Sequence, residues 1–265
     1  DDGFIHMAHG SGQEYTYSIK PSVEGDHQEP SEHGKAVASV TVIMPVKDEE
    51  EGLRLLVSEF RASPLAERKD LSFIIVVDGR SSDMSREVSE TLTDSVIDQS
   101  ERHGKGDAIK AAISKWSENP TELLVMMDAD GSYQWKDVEN VIEALESGAE
   151  AVTGVRLRGA FTRVEGMSLL HHMGNHALAM SASIRNRKKI QDLCSGLWGF
   201  TREAITKIAP TAQGFDLEAE LHGRVRLEGI SLVQIPIDWR CRVGGTSKLR
   251  SFVDGFRILV RVIRT

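Results

Sequence analysis

Leu123-Leu-Val-Met-Met-Asp-Ala-Asp130 sets a five-residue apolar run directly before a pair of aspartates. Five apolar residues in a row read as a strand buried on both faces, the kind found inside parallel sheets. Two earlier runs match it. Val40-Thr-Val-Ile-Met44 is β-branched and stops at Pro45, and Phe73-Ile-Ile-Val-Val77 stops at Asp78-Gly79. Helical spacing fills the gaps: 49–61, with Leu53, Leu56, Val57 and Phe60 in register; 82–92; 106–117, with Ala108, Ile109, Ala112, Ile113 and Trp116 on one face; and 135–145. Strands alternating with helices predict an α/β fold with a mostly parallel central sheet flanked by helices. The second half is less regular. Strands are expected over 150–154, 196–201 and 230–237, and helices over 166–183 and 214–228.

The whole-chain numbers fit one large domain or two small ones. The 265 residues are 40% hydrophobic and 27% charged, an ordinary soluble balance. A net charge of -8 argues against generic nucleic-acid binding. Two cysteines, Cys194 and Cys241, exclude a disulfide scaffold and point to a reducing compartment. No apolar run reaches the ~20 residues of a membrane span, and no stretch reads as a secretory signal. The charge is uneven: residues 1–34 carry a net -6 and residues 239–265 a net +6. Residues 1–36 are polar and aperiodic, so they are expected to be a disordered arm, with Asp1–His6 ahead of Met7 read as an added leader. A single domain is expected over 37–246, followed by a helix over 247–265.

Ligands of open α/β sheets bind beyond the carboxyl ends of the strands. Three strands end there in acids: Asp48, Glu49 and Glu50; Asp78 and Asp83; Asp128 and Asp130. Carboxylates bunched at one edge repel unless a cation or ligand offsets them. Asp128 and Asp130 reach one side of an extended segment, and a hard cation takes one or two carboxylates and fills its shell with phosphate oxygens. A solvated strand-end loop is the plain alternative. No G-x-G-x-x-G follows the first strand and Gly104-Lys-Gly106 lacks the spacing of a phosphate-binding P-loop. Neither a dinucleotide dehydrogenase nor a P-loop enzyme is indicated.

Six segments in order resemble family 2 glycosyltransferases of the GT-A fold. They are Met44-Pro-Val-Lys-Asp-Glu-Glu50, Val77-Asp-Gly-Arg-Ser-Ser-Asp83, Gly104-Lys-Gly-Asp-Ala-Ile109, Asp128-Ala-Asp-Gly131, Asp192-Leu-Cys-Ser-Gly-Leu-Trp-Gly-Phe200 and Arg240-Cys-Arg-Val-Gly-Gly-Thr-Ser-Lys248. The last is similar to the polyprenyl-phosphate (dolichyl-type) sugar synthase branch. The chain departs from the pattern at Asp48, where Asn is frequent, and at Ser132, where the branch commonly has Gln. It also carries one Asp, Asp78, where two are common. The resemblance implies a nucleotide-sugar donor, GDP-mannose or UDP-glucose/UDP-GlcNAc, bound by Pro45, Asp48, Glu49, Asp78, Lys105 and Asp128. It implies Mg²⁺ or Mn²⁺ on Asp128 and Asp130. Catalytic roles fall to Asp128, Asp130 and Asp192, the last as a candidate base or a turn cap. Arg156, Arg163 and Ser195 fall on the acceptor side. Arg240, Arg242 and Lys248 suit a phosphate, unless they are an ordinary solvated loop.

The expected acceptor is a polyprenyl phosphate, largely dianionic at neutral pH because its second pKa is ~6, so it needs no strong base. A hydroxyl acceptor would need one. A subunit that binds donor without turnover is the third alternative. His171, His172 and His176 lack partners for a zinc site. On a helical projection of 249–264, Arg250, Asp254, Arg257, Arg261 and Arg264 share a sector of about 80°. Leu249, Phe252, Val253, Phe256, Leu259, Val260 and Ile263 share about 120° on another side. Such a helix lies in a membrane interface or packs on its own domain. A peripheral location at the cytoplasmic membrane face follows from the resemblance.

Overall fold

The computed structural model describes residues 3–8, 14–19, 38–100, 103–156, 169–245 and 251–265. Gly3–Ala8 (β1) and Glu14–Ile19 (β2) pair antiparallel, with Gly3 opposite Ile19. Both segments fall within the expected N-terminal arm. Phe4, Ile5, Tyr15, Thr16, Tyr17 and Ile19 favour strands locally, a signal that the polar average of residues 1–36 conceals. The rest of that expected arm lies outside the described residues.

The main body begins with Val40–Val46 (β3), Glu50–Ala62 (α1), Leu71–Asp78 (β4), Ser85–Glu90 (α2) and Val96–Gln99 (β5). It continues with Lys105–Trp116 (α3), Leu123–Met126 (β6), Trp135–Glu146 (α4) and Ala151–Val155 (β7). The last part holds Leu169–Asn186 (α5), Trp198–Thr201 (β8), Arg202–Ile208 (α6), Leu217–Leu227 (α7), Leu232–Pro236 (β9) and Ser251–Arg264 (α8). Seven strands form one sheet in the order β5-β4-β3-β6-β8-β7-β9. All neighbours pair parallel except β8, which runs antiparallel to both β6 and β7. The expectation of a mostly parallel sheet with flanking helices therefore holds. The short strand β5 and the short helix α6 carry too few apolar residues to announce themselves.

Each central strand is buried on both sides, which is why its sequence is a continuous apolar run. On one face Val42, Met44 and Val125 meet α1 and α4 through Leu53, Leu56, Val141 and Leu145. On the other, Ile43, Leu124 and Met126 meet α3, α6 and α7 through Ile109, Trp116, Ile208 and Leu221. The indole of Trp135 donates to the carbonyl of Leu56 at 2.8 Å and packs against Phe60 and Phe73, tying α4 to α1. Strand β3 has β4 on one side and β6 on the other, so connections leave it in both directions. That reversal opens a crevice at the carboxyl ends of β3 and β6.

Candidate functional site

A cavity of about 410 Å³ occupies that crevice. Its walls come from the ends of β3 (Pro45, Glu49), β4 (Asp78) and β6 (Asp128, Asp130), and from the start of α3 (Lys105). The strands deliver carboxylates here because the backbone leaves the core at these points. Side chains just past the last apolar residue are the first that turn toward the crevice.

Every acid delivered meets an internal partner. Asp78 accepts from Arg80 Nη2 at 2.9 Å, and Lys47 Nζ and His103 Nδ1 lie 3.4 and 3.0 Å from it. Burial opposes its ionisation, but the Arg80 hydrogen bonds and the Lys47 charge outweigh burial and hold its pKa well below the usual carboxylate range. Lys105 Nζ bridges Asp128 Oδ1 and Glu218 Oε1, both at 2.6 Å. Burial would lower the lysine pKa, yet the two carboxylates raise it, so Lys105 stays charged. Burial pushes Glu218 upward and Lys105 offsets this in part. Arg242 Nη1 donates to both oxygens of Glu49 at 2.6 and 2.7 Å, and its Nη2 lies 2.9 Å from Asp130 Oδ2. Ser132 holds the other oxygen of Asp130 through its backbone N at 2.9 Å and its hydroxyl. Gly131, at φ 75°, makes the tight turn that this arrangement requires. A Cβ on Gly196 would strike the carboxylate of Asp128, so the 195–197 loop passes against the site as bare backbone. The Gly196 N donates to the Tyr133 hydroxyl at 2.6 Å, which fixes that approach.

A second polar cluster lies behind the first. Asp192 is fully buried, and it accepts from Arg156 N and Nε through Oδ2 and from Arg156 Nη2 and Asn175 Nδ2 through Oδ1. Burial would raise its pKa, but the Arg156 charge and these hydrogen bonds bring it down. An ionised, enclosed and saturated carboxylate is not placed to take a proton from an acceptor. Ser195 is buried beside this cluster with its hydroxyl unpartnered.

The expected site residues therefore separate. Pro45, Glu49, Asp78, Lys105, Asp128, Asp130 and Arg242 meet at the cavity. Asp48 turns away, accepting from Ser82 N at 2.7 Å. Glu50 and Asp83 are likewise spent on loop ends, each accepting a backbone N–H across the gap between α1 and α2. The acidic clusters are thus partly capping groups and not one bunched edge. Arg240 is a clamp, bound to both oxygens of Glu59 at 2.6 and 2.7 Å. Arg156, Asp192 and Ser195 form the buried cluster and do not line the cavity. Arg163 and Lys248 lie outside the described residues. Glu218, Tyr133 and Phe215 were not read from sequence. Glu218 sits in the acidic first turn of α7, where acids ordinarily complement the helix dipole.

Helix α8 also touches the cavity, through Val253, Asp254 and Arg257. It packs on α5 and α7, burying Ile258 and Val262 against Ala179, Ala182 and Ala219. Arg261 pairs with Asp216 at 2.6 Å. Part of the projected charged face, Asp254 and Arg261, thus turns inward, while Arg257 and Arg264 stay exposed beside Val253, Phe256 and Ile263. Helix α5 adds Met173, Met180 and Ile184 to the exposed apolar set. Among the described residues no helix is long and apolar enough to cross a membrane. Nor do three or more His, Cys, Asp or Glu side chains gather there as a metal cluster. His172 and His176 face each other edge to face at 4.6 Å.

A family model described as glycosyl transferase family 2 matches residues 41–209. A dolichyl-phosphate hexose transferase of Haloferax volcanii is 30% identical over 192 residues, covering 72% of this chain and 79% of that protein. A polyprenol monophosphomannose synthase of Mycolicibacterium smegmatis is 27% identical over 248 residues, covering 86% and 89%. Among solved structures, glucosyl-3-phosphoglycerate synthase from Mycobacterium tuberculosis, in complex with Mn²⁺ and uridine-diphosphate-glucose, shares the fold. Its TM-score is 0.64 at 19% identity, over 86% of this chain and 79% of that one.

Proposed function

The chain belongs to glycosyl transferase family 2 and has the GT-A fold, and on that premise we propose that it moves a hexose from a nucleotide sugar to a polyprenyl phosphate. GDP-mannose, UDP-glucose and UDP-GlcNAc are the donors to test. The acceptor phosphate oxygen attacks the anomeric carbon, the bond to the nucleoside diphosphate breaks, and the configuration inverts. The observation that carries the acceptor class is the state of Asp192. The candidate base is buried, ionised and saturated by Arg156 and Asn175. An acceptor that arrives as an anion needs no proton removed.

The donor side is the cavity. Asp78, with Arg80 and His103 beside it, would meet the nucleoside. Asp128 and Asp130 would hold a divalent cation such as Mg²⁺ or Mn²⁺. Their chemistry fits: two hard-oxygen carboxylates, with room for phosphate oxygens, suffice for such an ion. The ion would supply positive charge to the departing diphosphate, worth several kcal/mol in the transition state. Lys105 and Arg242, at the same carboxylates, are the protein's own cations for the phosphates. The exposed apolar residues of α5 and α8, with Arg257 and Arg264 beside them, support peripheral contact with the cytoplasmic face of a membrane. The names of the two relatives agree with a lipid phosphate acceptor.

The test is a donor panel with Mn²⁺ and a short polyprenyl phosphate, scored as labelled sugar extracted into organic solvent. One donor should give product, and Asp130→Ala should lose it. No organic-phase product with any of the three donors contradicts the proposal.

A further inference from the structure

We propose that Arg242 and Lys105 are the resident counter-ions of Asp130 and Asp128. A divalent cation would enter by displacing each onto the carboxylate that already holds its other side. The inference rests on the reading above that these two aspartates bind the metal. It assigns Glu49 and Glu218 as positioning residues.

The geometry is the same on both sides of the site. Arg242 touches Asp130 through Nη2 alone, at 2.9 Å, and Glu49 through Nη1 twice, at 2.6 and 2.7 Å. Breaking the single contact leaves the double one, so the guanidinium swings and is not lost. Lys105 stands between Asp128 and Glu218 at equal distances of 2.6 Å, and release from Asp128 leaves it on Glu218. The exchange needs side-chain motion only. Backbone bonds from Val243 N to Asp130 O and from Arg240 N to Ser132 O keep the Arg242 segment fixed beside the aspartates. Ser132 secures Asp130 Oδ1, so Oδ2, the oxygen that meets Arg242, is the one that changes partner.

The charge balance explains why such bridges form. Asp130 and Glu218 are almost enclosed, and an ionised carboxylate without a counter-charge is costly there. The two cations neutralise the aspartates without donor, and they compete with a metal that comes alone. When the metal arrives with a diphosphate, the displaced cations gain phosphate oxygens as new partners. Metal and diphosphate then bind cooperatively, and a bare ion binds weakly.

Mn²⁺ titration of the full chain without donor, read from the electron paramagnetic resonance of free Mn²⁺, tests this. Arg242→Gln should bind Mn²⁺ about tenfold more tightly than the parent chain. Arg242→Lys keeps the charge but has one ammonium in place of two guanidinium nitrogens, and should also tighten binding, by a smaller factor. Asp130→Asn should abolish the gain in both. Unchanged or weaker binding by Arg242→Gln overturns the proposal. So does an Arg242→Lys protein that matches the parent, because the effect would then belong to the general field and not to the ion pair. If Mn²⁺ behaves as expected but no lipid-linked sugar forms, the acceptor assignment fails and this inference stands.

Discussion

Arg156 and Asp192 are locked in a buried two-point pair, with Nε donating to Oδ2 at 2.8 Å and Nη2 to Oδ1 at 2.9 Å. Asp192 is entirely enclosed, so its carboxylate has no water to fall back on. Its role is to hold Arg156 and the loop before β8, which brings Gly196 against Asp128. Removing the carboxylate charge strands a buried guanidinium. Asp192→Asn should therefore lower unfolding stability by about 3–5 kcal/mol, read from denaturant midpoints. A loss below about 1 kcal/mol would show that the pair is not the anchor described.

His222 gives the chain a pH signature. It packs edge-on against Trp198 at 4.6 Å, and burial pushes its imidazole down to about 4 from an ordinary 6.5. The unfolded chain takes up this proton below pH 6.5, but the native chain does not until about pH 4. Stability therefore falls as pH falls through that window, by about 3 kcal/mol from this one group. His222→Leu should flatten the slope between pH 6.5 and 4 in urea unfolding. An unaltered slope would assign the effect elsewhere. Asp192 acts in a separate window. Its lowered pKa contributes stability that is present above the ordinary carboxylate value and lost as pH drops below it.

Gly196 is required by what passes beside it. An added methyl would meet the Asp128 carboxylate, and the loop is pinned by the hydrogen bond to Tyr133. Gly196→Ala should reduce transfer by about a hundredfold, because a misplacement near 1 Å has that scale of effect. The melting temperature should fall less than in Asp192→Asn. Activity within threefold of the parent would mean that the loop has slack.

The proposed membrane contact places the exposed apolar residues of α8 at the lipid surface. Phe256 and Ile263 are each about two-thirds exposed, at 67% and 64%. Phe256→Glu with Ile263→Glu should leave unfolding stability within about 0.5 kcal/mol. Co-sedimentation with vesicles containing anionic lipid should fall severalfold. Equal sedimentation would remove the membrane role of this face.

The sheet was legible because its central strands are buried on both sides and so appear as unbroken apolar runs ending in Pro45, Asp78 and Asp128. The positions of Asp128 and Asp130 followed directly, since the residues after such a strand must reach the crevice. Partnership was not legible. Arg240 and Arg242 are two residues apart, yet one is bound to Glu59 and the other to Glu49 and Asp130. Sequence spacing cannot tell which distant carboxylate each will find, Glu59 and Glu49 lying 181 and 193 residues away. Glu218 escaped notice for the same reason. The inward turn of Arg261 and Asp254 on α8 was equally illegible, because the body of the protein pairs the one and covers the other. An isolated projection treats every charge as facing water.

One comparison decides whether the acceptor must carry a phosphate. The protein, Mn²⁺ and the productive nucleotide sugar are incubated with a short polyprenyl phosphate or with the same polyprenol lacking its phosphate. Labelled glycolipid should form from the phosphate alone. Transfer to the free alcohol at a comparable rate would contradict it.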